Sequence, residues 1–147
     1  MGLYLEVEIN TRELLRPREL VIVLARRGGY LYLDYEKKAM ALYLRFFEEE
    51  LNFLEDATEG AMEILANKGL CYKQLEYLGP LFPHHGQYDK IYVFLASDVE
   101  SCRAQSFLSL SLSEVLEATK AGLFIGSRCD RALGLYLNHL RREGITE

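Results

Sequence analysis

The run ELVIVLA, from Glu19 to Ala25, holds no polar residue after its first and is rich in branched side chains. Successive residues of a strand point to opposite faces, so a strand of this composition has to be covered on both. The covering layers must come from the rest of the chain. With 147 residues, 50% of them hydrophobic, the chain has enough apolar material for one sizeable core. No Pro/Gly/Ser-rich linker, internal repeat or low-complexity tract divides it, so residues 1–147 are expected to form a single domain.

Other segments supply candidate partners for that strand. LYLEVEI (Leu3 to Ile9) alternates with period two, as a strand with one wet face does. Arg26-Arg27-Gly28-Gly29 separates ELVIVLA from YLYLDY (Tyr30 to Tyr35), and its glycines suit the positive φ of a tight hairpin. ALYLRFF (Ala41 to Phe47) reads either as a strand or as the end of a helix begun at Glu36, because EKKAMALYL contains no breaker. EDATEGAMEILANKGL is the clearest helix of the first half. Asp56 or Thr58 can cap it, acids fill its first turn, and Gly69 stands where a helix stop wants φ > 0. QLEYLGPLF (Gln74 to Phe82) and KIYVFLASD (Lys90 to Asp98) read as strands. SLSEVLEATKAG offers Ser111 or Ser113 as a cap and Gly122 as a stop, and a longer amphipathic helix follows from about Ser127 to Arg142. Strands, a central helix, strands and two helices make an α+β or α/β sandwich.

Charge narrows the partners. With 22 Asp+Glu against 17 Lys+Arg and a net charge of −5, the chain has no general attraction for a phosphate backbone, which argues against nucleic acid. No apolar stretch approaches the roughly 20 residues that span a bilayer, and MGLYLEVEINTRELLR lacks the order of a signal peptide. No membrane association and a cytoplasmic location are therefore expected. Cys71, Cys102 and Cys129 are widely spaced and odd in number, which favours buried or idle thiols over a metal knuckle or a redox pair. None of Ser113, Cys71 and Cys129 forms a nucleophile-base arrangement with a histidine that sequence order supports, so nucleophilic catalysis is set aside.

The succession EDATEGAMEILANKGL, QLEYLGPLFP, HHGQYDK, IYVFLASD, SLSEVLEATKAG and RALGLYLNHL resembles, in order and spacing, the Nudix hydrolases, and among them the branch that cleaves ADP-ribose and other ADP-linked compounds. The resemblance runs from about Arg18 to Arg142. It implies an α/β/α sandwich with a mixed β-sheet and, in the family, hydrolysis of a diphosphate by Mg²⁺ held on helix carboxylates. It also implies extra N-terminal strands that build a homodimer interface, of which Leu3 to Ile9 would be the remnant.

The family signature, G-x5-E-x7-R-E-U-x-E-E-x-G-U with U aliphatic, departs here in specific places. Anchored on Gly69, it matches Glu63, Ile64, Gly69 and Leu70, while Met62 replaces the arginine and Ala66-Asn67 replaces the adjacent glutamates. The upstream glutamate falls on Leu54, with Glu55 beside it, and the first glycine falls at Glu48 or Glu49. By this resemblance a retained metal would rest on Glu55, Glu59 and Glu63, with loop acids such as Glu49 or Asp89. Glu63 and Asp89 are the catalytic candidates, Tyr88 an alternative to Asp89, and Arg18 and Arg128, which fall where the family has arginines, the ligand-binding ones; Tyr35, among the strand tyrosines, is able to stack on an adenine or to pack in the sheet. Glu48-Glu49-Glu50 reads first as an exposed acidic turn, and His84-His85 as loop histidines able to meet a phosphate or a metal.

Two functions follow from these residues. The first is a degenerate Nudix-type domain that binds a nucleoside diphosphate-linked small molecule as a binding or regulatory module, without cofactor. The second is a hydrolase of ADP-ribose-like compounds with Mg²⁺ at an altered site. Ala66 and Asn67 favour the first, since alanine offers a hard cation no oxygen and asparagine only a neutral one.

Overall fold

The computed structural model describes residues 17–144 apart from 53, 84, 85, 103–106 and 126. Leu3 to Ile9, His84 and His85 lie outside the described residues. The chain runs β1 (Glu19–Arg27), β2 (Tyr30–Lys38), β3 (Ala41–Arg45), β4 (Phe47–Glu50), α1 (Ala57–Asn67), β5 (Leu70–Cys71), β6 (Gln74–Leu81), β7 (Lys90–Ser97), β8 (Glu100–Ser101), β9 (Leu108–Ser111), α2 (Leu112–Lys120) and α3 (Ser127–Arg142).

Strand β1 lies at the centre of a seven-stranded mixed sheet. One edge pairs in parallel with β7, from Glu19↔Lys90 to Ala25↔Ala96. The other edge is shared: Leu20 to Val23 pair with β4, and Ala25 to Arg27 with β2. Beyond these, β2 carries β9 and β3, and β7 carries β6. The alternation of β1 divides the interior in two. Leu20, Ile22 and Leu24 pack with Val115 of α2 and with Ala132, Leu133 and Tyr136 of α3, whereas Val21, Val23 and Ala25 pack with Ala61, Ile64 and Leu65 of α1. The result is the α/β/α sandwich that a strand buried on both faces requires. Among the described residues no helix is long and apolar enough to cross a membrane.

The helix boundaries follow local chemistry. Asp56 caps α1 by accepting the backbone N–H of Thr58, and Gly69 follows at φ 70°. Ser111 and Glu114 form a reciprocal capping box at the start of α2. In the first turn of α1, Gly60 gives the helix a close approach to the sheet. A Cβ there would stand 2.6 Å from the Leu51 side chain.

Three expectations are corrected. The segment from Glu36 is not helical: β2 continues to Lys38, turns through Ala39 and Met40 at φ 47° and 66°, and returns as β3. A two-residue hairpin with both φ positive normally carries Asn and Gly, so the turn is hidden in a sequence without them. Glu48-Glu49-Glu50 is not an exposed turn, because these residues continue strand β4 against β1. Cys71 and Cys102 are not idle thiols: antiparallel pairing of β5 with β8 brings their Cα atoms to 6.3 Å, and the two are joined by a disulfide. Cys129 alone is buried and free, and burial pushes its thiol up to about 11.

Left-handed backbone costs an L-residue other than Gly or Asn about 1–2 kcal/mol. Replacing Ala39-Met40 by Asn-Gly is therefore expected to stabilise the protein by about 1–2 kcal/mol in urea denaturation, with the m-value unchanged.

Candidate active site

The site grows out of β4. Phe46, just before it, belongs to the core under α2 and α3, while Phe47 and Leu51 belong to the core under α1. The period of two then separates Glu48 and Glu50 from Glu49.

On the α3 side the acids are compensated. Arg128 donates through Nε and Nη2 to the two oxygens of Glu48, at 2.9 and 2.7 Å. Arg18 Nε donates to Glu50 at 2.8 Å. The Tyr88 ring lies 5.2 Å from the Arg18 guanidinium and 5.8 Å from that of Arg128. Asp89 accepts the backbone N–H of Arg18 at 2.8 Å. Four residues singled out from the sequence thus meet, but as a closed set of ion pairs and ring contacts.

The α1 side is different. Glu49, Glu50, Glu55 and Glu63 line a cavity of about 20 Å³, with Leu51, Asn52 and Gly60 on its wall. That is room for one water or one ion. Leu54, at φ 67°, is exposed, and the next residue, Glu55, turns inward, where it accepts the backbone N–H of Asn52 at 3.0 Å. The Glu63 carboxyl is pushed above the ordinary carboxylate range, chiefly by a hydrogen bond with Glu55 and then by the charge of Glu55, with burial and Glu49 adding to it.

A wider cavity of about 380 Å³ adjoins this one through Glu49 and is lined also by Asp34, Arg45, Glu48, Ile64, Asn67 and Lys68. The two cavities share one face of α1, along which Gly60, Glu63, Ile64 and Asn67 recur at helical spacing. Asp34 stands opposite Arg45 across the β2–β3 pair and binds Lys68 Nζ at 3.0 Å. Sequence reading passed over Asp34, Arg45 and Lys68. Their signal lies in the β2–β3 register, which the unmarked turn at Ala39-Met40 concealed.

Glu55 and Glu63 therefore come together, and Glu49 joins them. Glu59 is exposed and lines neither cavity, nor do Asp89, Arg18 or Arg128. Tyr35 packs half-buried against the core under α2 and α3. Of the four carboxylates around this ion-sized space Glu50 is paired with Arg18, and the other three, Glu49, Glu55 and Glu63, suit one hard divalent cation such as Mg²⁺. Further along the same helix Asn67 and exposed Ala66 do not extend that donor set.

A mixed sheet between helices, with acids of the central helix facing a cleft, makes an α/β/α sandwich. It is the Nudix hydrolase fold. The structure is similar to the solved structure of an ADP compounds hydrolase, with a TM-score of 0.74 and 20% identity, covering 89% of this chain and 78% of that one. It is similar also to a Nudix hydrolase from Nitrosomonas europaea, with a TM-score of 0.67 and 13% identity, covering 84% of this chain and 90% of the other. No protein-family model matches the sequence, and no curated protein matches it.

A carboxyl whose pKa is raised by folding lends stability that is complete below its unfolded value and is lost as pH rises through the folded one. In EDTA, Glu63→Gln is expected to melt above the parent protein at pH 7 and together with it below about pH 4, where both side chains are neutral. A parent protein that melts higher at pH 7 would contradict the carboxylate repulsion.

Proposed function

We propose that the chain is a nucleotide-binding domain of Nudix fold. It takes a nucleoside diphosphate-linked small molecule in the cleft along α1 and lacks the ordinary pyrophosphohydrolase activity of that fold. The ligand class comes from the similar ADP compounds hydrolase and from the wider cavity, whose volume of about 380 Å³ falls within the usual range for small-molecule sites.

One observation carries the loss of ordinary turnover. Asn67, one turn beyond Glu63 on the same helix face, lines the wider cavity with its neutral amide, at a position where the family signature has a carboxylate. Lys68 and Arg45 share that wall. This end of the cleft thus holds two cations, both paired with Asp34, that a phosphate would have to share with that carboxylate. At the other end Glu49, Glu55 and Glu63 would repel a diphosphate unless a divalent cation lay between them. Such a cation supplies charge neutralisation when bound. The three carboxylates hold it, and Lys68 and Arg45 orient the anion beside it.

The convergence of Glu49, Glu55 and Glu63 favours a second reading, residual hydrolysis of an ADP-ribose-like linkage. Glu63 faces the cleft and is the group there best placed to accept a proton from an attacking water. Asp89, the other catalytic candidate, is engaged with the backbone of Arg18.

Chromatographic assay of AMP release from ADP-ribose in millimolar Mg²⁺ separates the two. The binding domain is expected to raise its melting temperature with ADP-ribose while releasing AMP well below about 1 s⁻¹, the lower end of ordinary enzyme turnover. Turnover within the ordinary range, abolished in Glu63→Gln, would establish the hydrolase instead.

A further inference from the structure

The opposite face of the sheet carries a second cluster of metal-ligating groups, unrelated to the cleft. In the last turn of α3, His139 and, just past the helix, Glu143 stand four residues apart and so project from the same side. Strand β6 brings Glu76 against them, and one ligand atom from each of the three lies within 4.8 Å of the others. His139 Nε2 is 3.3 Å from Glu143 Oε1 and 3.7 Å from Glu76 Oε2. Despite that proximity the nitrogen is buried and makes no hydrogen bond. A buried ring nitrogen at ion-pair distance from two carboxylates, but in hydrogen-bond geometry with neither, suits a further group placed between the three.

We propose that Glu76, His139 and Glu143 form a site for a first-row divalent transition metal of the Zn²⁺ type, tying the end of α3 to β6. A tetrahedral Zn²⁺ with bonds of about 2.0–2.2 Å holds its ligand atoms about 3.3–3.6 Å apart, close to the spacing that the imidazole and carboxylates already have. The imidazole selects this class over Mg²⁺ and Ca²⁺, which prefer oxygen alone.

The surroundings suit a metal ligand set. Arg26 donates to both oxygens of Glu143, at 3.0 and 3.1 Å, and is itself bonded through Nε to Ser97 Oγ at 3.0 Å. Each carboxylate oxygen accepts two hydrogen bonds or ligand bonds, so Oε1 keeps one direction for the ion, while Arg26 fixes the carboxylate from behind as outer partners of zinc ligands do. Two carboxylates against one guanidinium leave the cluster a net negative charge. His139 is 15% exposed, but Glu143 at 30% and Glu76 at 41% open the site to solvent for entry and for a fourth ligand.

The test is titration of the EDTA-stripped full chain with Zn²⁺, in saturating Mg²⁺ to occupy the acidic cleft, followed by calorimetry and melting. Co²⁺ serves as the spectroscopic probe. The parent protein is expected to bind one Zn²⁺ per chain with a rise in melting temperature and to give visible Co²⁺ bands. His139→Gln and Glu76→Gln should each bind Zn²⁺ at least about tenfold more weakly and lose the Co²⁺ bands, with unchanged far-UV circular dichroism. Glu76→Gln leaves the Arg26–Glu143 pair in place and so separates ligation from folding. Equal Zn²⁺ affinity in the parent and both variants, or no Zn²⁺ binding by the parent, would overturn the proposal.

Discussion

Everything in this structure hangs on β1, which has apolar cover on both faces and hydrogen bonds along both edges. Burial at about 25 cal/mol per Å² of apolar surface makes such a strand the main source of stability, provided that two separate layers cover it. The helices supply them: α1 on one side, α2 and α3 on the other. The edge facing away from β7 is divided between β4 and β2, so the chain that leaves β3 must shift partner at Phe46. Phe46 and Phe47 then enter different cores, and the orientation of the next three residues is set.

Those residues decide the electrostatics. Glu48 and Glu50 turn to the α3 side and are neutralised by Arg128 and Arg18. Glu49 turns to the α1 side and joins Glu55 and Glu63, and no arginine or lysine lines that small cavity. Glu50, paired with Arg18, still borders the small cavity and Glu48, paired with Arg128, the wider one, so the ion-paired acids form the rim of the cleft that Glu49 enters. Along the same helix, Asn67 lines the wider cavity with no charge of its own.

Much of the fold was legible in the sequence because its signals are local. ELVIVLA announces its burial, Gly28-Gly29 its hairpin, and Asp56, Gly69, Ser111 and Gly122 the ends of two helices. The missed features depend on contacts between distant segments. The β2–β3 turn uses Ala39 and Met40 in a conformation that their side chains do not advertise. The disulfide depends on the pairing of β5 with β8, which no cysteine spacing reveals. For the site, Glu55 and Glu63 could be named from the family resemblance, whereas Glu59, one turn before Glu63, lines neither cavity. The roles of Glu48 and Glu50 could not, since a run of three acids reads as one solvated patch until the pleat of β4 divides it. Arg18 and Arg128 were likewise read as marks of an anionic ligand, and the structure places them on Glu50 and Glu48.

The central claim is that this cleft accepts a diphosphate only together with a divalent cation at Glu49, Glu55 and Glu63. Isothermal titration of ADP-ribose into the protein, in EDTA and again in millimolar Mg²⁺, tests it most directly. Measurable binding in Mg²⁺ that is lost in EDTA is the expected result. Equal affinity under both conditions would show that the carboxylates take no part in holding the ligand.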